Sequence, residues 1–372
     1  MTQRSFSAGR AINRPGARGV AAAVAVLALV GTGCTTKETP SADAPKDDAS
    51  TGTSAGPVTL KDGSAVKVAF VPGGAHPYFQ PWKTTAETAK SDFKLGGVIF
   101  NETGEWDQGK QNNVLNSLAA QGYNAFGIFG VSPTDINSTF EDLKGKGFAV
   151  GSLASCPAGD TNSADFCLST DVELAAYKAA KATIEAIGGA GTIVHLTGNN
   201  VDSNTQRRIA GVKKAVGETG GKVTEMPVIT DIDKDLQTAQ KAVADLLASK
   251  GKDIKGIVTT AYNPAVAAAD GVKSSGLPIK VVAIDDDAAI LNGIKSGGVA
   301  ATVTQNPVGQ AYVGGWLLAL LGSKQCEMKE PGAIVDSGSF VVTKANVDTY
   351  DAERKAKTKE LEQEFAAKLS CQ

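Results

Sequence analysis

The sequence predicts an α/β protein built as two doubly wound parallel-sheet lobes, and three observations predict it. From Val66 onward, short runs rich in Val, Ile and Phe alternate with helical patterns, the rhythm of βαβ units. Two sets of four to five such strands occupy roughly 280 residues, more than the ~100–200 of one ordinary domain. Hydrophobic residues make up 42% of the 372, and charged residues 20%, which is enough to fill two cores.

Val66–Val71 reads as the first buried strand, followed by a helix around Trp82–Phe93. Gly97–Phe100 is the next strand, and Gln108–Gln121 is helical with Val114, Leu115 and Leu118 on one face. Ala125–Phe129 is the third strand. Ser132-Pro133-Thr134-Asp135 then supplies an N-cap and a Pro at the first helical position. Phe148–Leu153 is the fourth strand. Thr170-x-x-Glu173 reads as a capping box opening a helix that stops at Gly188-Gly189. The same rhythm resumes with strands at Thr192–Leu196, Lys222–Ile229, Gly256–Thr260, Lys280–Ile284 and Ala300–Thr304. Tyr350–Leu369 carries Leu361, Phe365 and Leu369 at i, i+4 and i+8, an amphipathic helix expected to pack on the body. In open parallel sheets ligands bind beyond the carboxyl ends of the strands, so the loops there are where function is sought.

The N-terminus reads as an export signal. Arg4, Arg10, Arg14 and Arg18 precede the apolar run Val20–Val30, and no acidic residue occurs before Glu38. The run is about 11 residues, short of the ~20 that span a bilayer. Gly31-Thr32-Gly33 and then Cys34 resemble a bacterial lipoprotein signal, with Gly31 where Leu is usual. The expected arrangement is a signal over 1–33, a lipid on Cys34, and a Ser/Thr/Pro/Gly-rich tether over 34–64 that lacks the apolar side chains to fold. The protein is therefore expected outside the cytoplasm, lipid-anchored to the outer face of the cytoplasmic membrane.

That placement explains an odd cysteine count of five. With Cys34 lipidated, the other four allow three disulfide connectivities. The reading favours Cys156–Cys167, pinning a Pro/Gly/Asp-rich loop, and Cys326–Cys371, tying back the tail. No Cys-x-x-Cys spacing occurs and neither histidine, His76 nor His195, lies near a cysteine pair, so no metal site or cofactor is expected. A net charge of −2 supplies no basic field for nucleic acid.

Several strand-end loops carry candidate binding residues. After the first strand, His76, Tyr78 and Phe79 place rings where they suit the apolar face of a sugar. Trp106 sits in a polar loop after the second strand. Asp285 heads an acidic run just past a strand and can accept hydroxyl hydrogen bonds, with Asp286 or Asp287 suited to capping. Gln305, Tyr262 and Asn263 occupy equivalent places after neighbouring strands. Two tempting motifs fail. Gly188-Gly189-Ala190-Gly191 precedes a strand, whereas a dinucleotide loop opens a helix. Asp231-x-Asp233-x-Asp235 lacks the Gly at position six and the Glu at position twelve of a calcium loop. No nucleophile motif is visible, and no enzymatic activity is expected.

Together these segments resemble the type I substrate-binding proteins of bacterial ABC importers, in particular the ribose- and galactose-binding group. The resemblance runs from about Val66 to Lys344. It is carried by Ala75-His-Pro-Tyr-Phe79, Ser132-Pro-Thr-Asp135, Arg208-x-x-Gly211, and the run from Val281-Val-Ala-Ile-Asp285 to Ala300-Ala-Thr-Val-Thr-Gln305-Asn-Pro307. It implies a periplasmic binding protein type I fold, with a three-crossover hinge closing on a small sugar or polyol. The implied lobes are 65–170 plus 306–330 and 171–305 plus 331–345, with 346–372 as a C-terminal tail. It also implies that Tyr78 and Phe79 sandwich the ring, that Asp285 and Gln305 bind hydroxyls, and that Ser132 makes a polar contact. A family arginine position falls at Gln206, and the family's Asp-Arg pair after strand four is replaced by Leu153-Ala154-Ser155-Cys156. The implied partners are an ABC permease and its ATPase, with the binding protein acting as a monomer. A lipoprotein presenting its ligand to a membrane sensor kinase is the alternative. Sugar-responsive repressors share this body but need an N-terminal helix-turn-helix, where this chain carries the signal and tether.

Overall fold

The computed structural model describes residues 58–159 and 161–372. The expected signal, the expected lipid site at Cys34 and the expected tether up to residue 57 lie outside the described residues. The last part of the expected tether is corrected. Val58 and Leu60 pack on the first hydrophobic core, and the Val58 carbonyl accepts a hydrogen bond from the Trp316 indole at 3.2 Å. Gln325 brackets the same segment, donating to the Thr59 carbonyl at 2.8 Å and accepting from the Lys61 N–H at 2.7 Å. Two apolar side chains and a few backbone bonds suffice to seat the segment, so the folded body starts by Val58.

The first lobe alternates β1 (Lys67–Val71), α1 (Gln80–Asp92), β2 (Gly97–Phe100), α2 (Gln108–Ala120), β3 (Ala125–Ile128), α3 (Ile136–Gly145), β4 (Ala149–Leu153) and β5 (Phe166–Ser169). The second alternates α4 (Val172–Ala186), β6 (Gly191–Leu196), α5 (Ser203–Gly217), β7 (Val223–Glu225), α6 (Leu236–Lys250), β8 (Gly256–Thr259), α7 (Tyr262–Ser275), β9 (Lys280–Ile284), α8 (Ala288–Ser296) and β10 (Ala301–Thr304). The chain then returns through α9 (Pro307–Gly322), β11 (Cys326–Met328), β12 (Ala333–Asp336), β13 (Phe340–Val342), α10 (Tyr350–Lys368) and β14 (Leu369–Cys371).

Two six-stranded sheets result, in the orders β2-β1-β3-β4-β5-β12 and β7-β6-β8-β9-β10-β13. Every pairing in them is parallel except β10 with β13. The two orders are the same, and each reverses beside its first strand, β1 or β6. That is the switch point at which doubly wound sheets open a crevice. Strands buried on both faces, such as β3, β4 and β8, read as near-continuous apolar runs for that reason.

The chain passes between the lobes three times, at Ser169–Val172, Thr304–Pro307 and Asp336–Phe340. The segment 331–345, expected in the second lobe, is divided: β12 extends the first sheet and only β13 joins the second. Buried polar side chains knit the passages together. Thr170 Oγ1 lies 3.1 Å from Ser337 Oγ, and Gln310 Nε2 donates to Ser337 Oγ at 3.0 Å. Thr170 is thereby drawn into the hinge, and the cap of α4 falls instead to Asp171, which accepts from Leu174 N–H at 3.2 Å.

Other element boundaries differ for local reasons. The Lys222–Ile229 strand is interrupted because Pro227 has no N–H for the ladder, leaving β7 and a single bridge from Leu196 to Ile229. The helix after β3 begins at Ile136, with Ser132–Asp135 forming a turn before it. Both expected disulfides are present, Cys156–Cys167 and Cys326–Cys371. Among the described residues no helix is long and apolar enough to cross a membrane.

Candidate functional site

The carboxyl ends of both sheets face one cleft, and a cavity of about 550 Å³ opens there. That lies within the ~300–1,000 Å³ usual for small-molecule sites. Its first-lobe wall is largely apolar: Phe79, Trp106, Phe129, Val131 and Ala154, with Tyr78 and His76 beside them. Its second-lobe wall is polar: Thr205, Arg208, Asp233, Thr260, Tyr262 and Asp285, with Gln305 from the crossover.

The rings of the first wall are positioned by one another. Phe79 sits edge-on to Tyr78, Trp82 and Phe129, with centroids 4.9–5.2 Å apart. Trp106 has a left-handed backbone, φ 56°, and its indole lies on Gly73 and Gly74. A Cβ on either glycine would come within 2.9 Å of that ring, so the Gly-Gly pair is what admits it. Tyr78 extends to the hinge, donating from its hydroxyl to Gln310 Oε1 at 3.0 Å, and burial pushes its phenol pKa upward. His76 Nδ1 accepts from the Tyr78 N–H at 3.2 Å, which places the ring proton on Nε2.

On the second wall the acidic run splits three ways. Asp285, 6% exposed, accepts from Gln305 Nε2 at 2.7 Å, and its residue has a left-handed backbone, φ 64°. That conformation is held from both sides: its N–H donates to Val303 O at 3.0 Å and its carbonyl accepts from Thr302 Oγ1 at 2.7 Å. Burial raises the carboxyl pKa from its ordinary value to about 7, against the lowering effect of the Gln305 hydrogen bond. Asp286 turns to the tail helix, where it meets Arg354. Asp287 caps α8 by accepting from Ala289 N–H and also accepts from the Tyr262 hydroxyl, 2.8 Å away.

Behind this wall runs a buried chain. Thr260 Oγ1 donates to Thr197 Oγ1 at 2.8 Å and lies 2.7 Å from His195 Nε2. Because that hydroxyl proton is committed to Thr197, the imidazole donates from Nε2. Burial holds His195 neutral, with a pKa down to about 3.

The structure places His76, Tyr78, Phe79, Tyr262, Asp285 and Gln305 at the cavity wall, but Tyr78 and Phe79 meet edge-on with centroids 5.1 Å apart and leave no space for a ring sandwiched between them. Three expected residues stand elsewhere. Ser132 Oγ is occupied in its own turn, accepting from Asp135 N–H at 3.1 Å and contacting Asp135 Oδ2 at 3.0 Å. Gln206 is exposed on the outer side of α5 and bonds back to Asn200. Asn263 points away from the cavity, donating from Nδ2 to the Asp233 carbonyl at 3.0 Å and from its N–H to Asp233 Oδ1 at 2.8 Å. It fixes the loop that carries Asp233.

Sequence reasoning missed Thr205 and Arg208. With Asp202 capping α5, their i, i+3 spacing puts both on one helix face toward the cleft. Thr205 Oγ1 and Arg208 Nε are both buried without a hydrogen-bond partner among the described residues, as is His76 Nε2. The Asp231-x-Asp233-x-Asp235 acids diverge: to Asn200 N–H, to Asn263 and His76, and to the cap of α6. Among the described residues no group of three or more metal-ligating side chains occurs.

Two like-ordered α/β lobes facing across a cleft with one apolar and one polar wall define a two-lobed binding protein of the type I periplasmic architecture. A family model described as a periplasmic binding protein domain matches residues 68–325, and the chain belongs to that family. Solved structures share the fold. A sugar-binding protein of a sugar ABC transporter from Bacillus halodurans is 21% identical, with a TM-score of 0.66, over 77% of this chain and 99% of that one. A solute-binding protein from Burkholderia graminis, in complex with D-arabinose, is 22% identical, with a TM-score of 0.69, over 78% of this chain and 99% of that one. One from Actinobacillus succinogenes with bound D-allose is 19% identical, with a TM-score of 0.68, over 77% of this chain and 100% of that one. No curated protein matches the chain.

Proposed function

We propose that this chain captures a small sugar or polyol in the interlobe cleft and delivers it to an ABC importer. It would do so as an exported monomer held at the outer face of the cytoplasmic membrane by a lipid on Cys34. One observation carries the reading. Three buried polar atoms, Thr205 Oγ1, Arg208 Nε and His76 Nε2, lack partners among the described residues and belong to residues lining one cavity with Asp285 and Gln305. Buried polar atoms are nearly always paired, so their convergence supports a ligand rich in hydroxyls. The facing aromatic wall suits the apolar face of a sugar ring. The sugars bound by proteins of like fold, D-arabinose and D-allose, favour the same class.

Binding is non-covalent. A ligand touching both walls interacts more strongly with the closed than the open arrangement and so favours closure. The permease then recognises the closed form, and its ATPase drives uptake. Arg208 takes the place expected of the residue at 206, donating to ring or hydroxyl oxygens.

A thermal-melting screen of the protein against pentoses, hexoses, polyols and nucleosides tests the reading. A ligand at 100 times its Kd stabilises the native state by about 2.7 kcal/mol. A rise in melting temperature with at least one sugar or polyol is expected. Failure of all of them, or a response to nucleosides alone, would overturn it.

A further inference from the structure

The C-terminal helix crosses from one lobe to the other. Its first residue, Tyr350, is buried in the second lobe's core with Val342, Val347 and Ile290. Leu361 and Phe365, farther along, are fully buried in the first lobe's core, where Phe365 meets Phe166 edge-on at 5.6 Å. After the helix, β14 pairs with β11, and Cys371 is bonded to Cys326. The helix lies beyond the stretch that matches the family, which ends at residue 325.

Between its anchors the helix lies directly on the hinge. Asn306, fully buried in the second crossover, donates from Nδ2 to Thr358 Oγ1 at 3.1 Å and to the Ser337 carbonyl at 3.3 Å. Two glycines clear its path. A Cβ at Gly309 would lie 2.7 Å from Thr358 Oγ1, and one at Gly338 would lie 3.1 Å from Lys357 Cγ.

Arg354 joins the helix to the binding wall. Its Nη1 is 2.7 Å from Asp286 Oδ2, and its Nε and Nη2 hold Asp351 Oδ1 at 3.1 and 2.6 Å. The Tyr350 hydroxyl donates to the same Asp286 oxygen at 3.1 Å. Asp286 directly follows Asp285, the carboxyl that lines the cavity. The helix therefore grips the loop that presents the site.

We propose that α10 is a working part of the cleft, a strap stapled to the first lobe by Cys326–Cys371 and hooked by Arg354 onto the Asp285–Asp287 loop of the second. Arg354 is a positioning residue: it touches no ligand, and acts by holding Asp286. Lobe opening about three crossovers is a rigid-body rotation. A helix with one end in each core must slip or break its contacts when the lobes rotate. Parting Arg354 from Asp286 leaves the partly buried Asp286 carboxylate with only the Tyr350 hydroxyl and Arg354 with Asp351 alone, which opposes opening. The strap thus biases the ligand-free protein toward closure. The inference goes beyond the solute-binding reading and holds whichever molecule the cleft takes.

Single-molecule energy transfer tests it without any ligand. Dyes attached through azide-bearing residues at Lys90 on α1 and Lys241 on α6, both exposed, report the distance between lobes in the full chain. Arg354→Met keeps the apolar stem and removes the charge. It should raise the ratio of open to closed molecules about tenfold, while Arg354→Lys stays within about twofold of the unsubstituted chain. Asp286→Asn leaves the helix sequence intact and should open the lobes likewise. It decides the matter if Arg354→Met does not fold. An unchanged distance distribution in Asp286→Asn, or in a folded Arg354→Met, would overturn the proposal.

Discussion

His76 and Asp233 face each other across the cleft, Nε2 of one 3.5 Å from Oδ2 of the other. One comes from the loop after β1 and the other from the loop before α6, so the pair exists only when the lobes approach. The His76 ring also meets Tyr262 of the second lobe edge-on, with centroids 5.8 Å apart. The separation is long for a hydrogen bond, and the imidazole N–H remains free to turn to a ligand. A double-mutant cycle of His76→Ala and Asp233→Asn, read in affinity for whichever sugar the melting screen identifies, should give a coupling of about 0.5–1 kcal/mol. Additive effects would show that the pair takes no part in closure.

Two buried groups shape the pH dependence of stability in opposite senses. The folded Asp285 carboxyl titrates near 7, above its ordinary value of about 4. Between those limits the folded protein holds a proton that the unfolded chain has released, so this contribution falls as pH rises. His195 titrates near 3 when folded and about 6.5 when unfolded. There the unfolded chain holds the extra proton, so this contribution rises with pH. Each slope is about 1.4 kcal/mol per pH unit, and the two offset one another between about pH 4 and 6.5. Asp285→Asn removes the first. Relative to the unsubstituted protein, the variant should lose about 3 kcal/mol as pH falls from 6.5 to 4, measured by urea unfolding. Parallel curves for the two proteins would contradict this.

Gly211 lies where α5 crosses α4. A Cβ there would come 2.2 Å from the Glu173 carbonyl oxygen, a backbone atom that cannot swing aside. Gly211→Ala should therefore destabilise the second lobe by about 1–3 kcal/mol, despite alanine's better helix propensity. Chemical denaturation checks this, and a gain in stability would mean that the helices part at little cost.

The Cys326–Cys371 bridge spans 45 residues of sequence, including the whole strap. In the chain-entropy picture a loop of that size contributes about 4 kcal/mol. Replacing both cysteines with serine should lower the unfolding free energy by an amount of that order. A loss below about 1 kcal/mol would mean that Phe365 and Leu361 alone fix the tail.

Much of the lobe architecture was legible because buried parallel strands announce themselves as apolar runs: β2 and β9 fall at the expected residues, and the other expected sheet strands except β7 within one residue. The short strands β5, β11, β12, β13 and β14 carry no such signal. Their three or four residues gain strand geometry from partners distant in sequence, such as Phe166 beside Ala333. The site was legible where a residue type and a strand end coincided, as at Phe79, Asp285 and Gln305. It was illegible where a helix face decides, because whether Gln206 or Arg208 points into the cleft depends on how α5 is rotated by its packing on α4. The passage of α10 over the hinge had no local cue. Leu361 and Phe365 mark a buried face, but not which lobe buries it.

The central claim, that the cleft binds a polyhydroxylated ligand through Asp285, is tested most directly by calorimetric titration of the protein and its Asp285→Ala variant with the sugar that stabilises it. The titration belongs at pH 8, where the carboxyl is ionised and can accept from hydroxyls. Two hydrogen bonds to a charged group, each worth about 1.5–3 kcal/mol, predict a Kd raised about 100-fold or more, with ligand-free melting nearly unchanged because removal of a buried carboxylate is offset by the Gln305 amide left without its acceptor. An unaltered Kd in the variant would contradict the account.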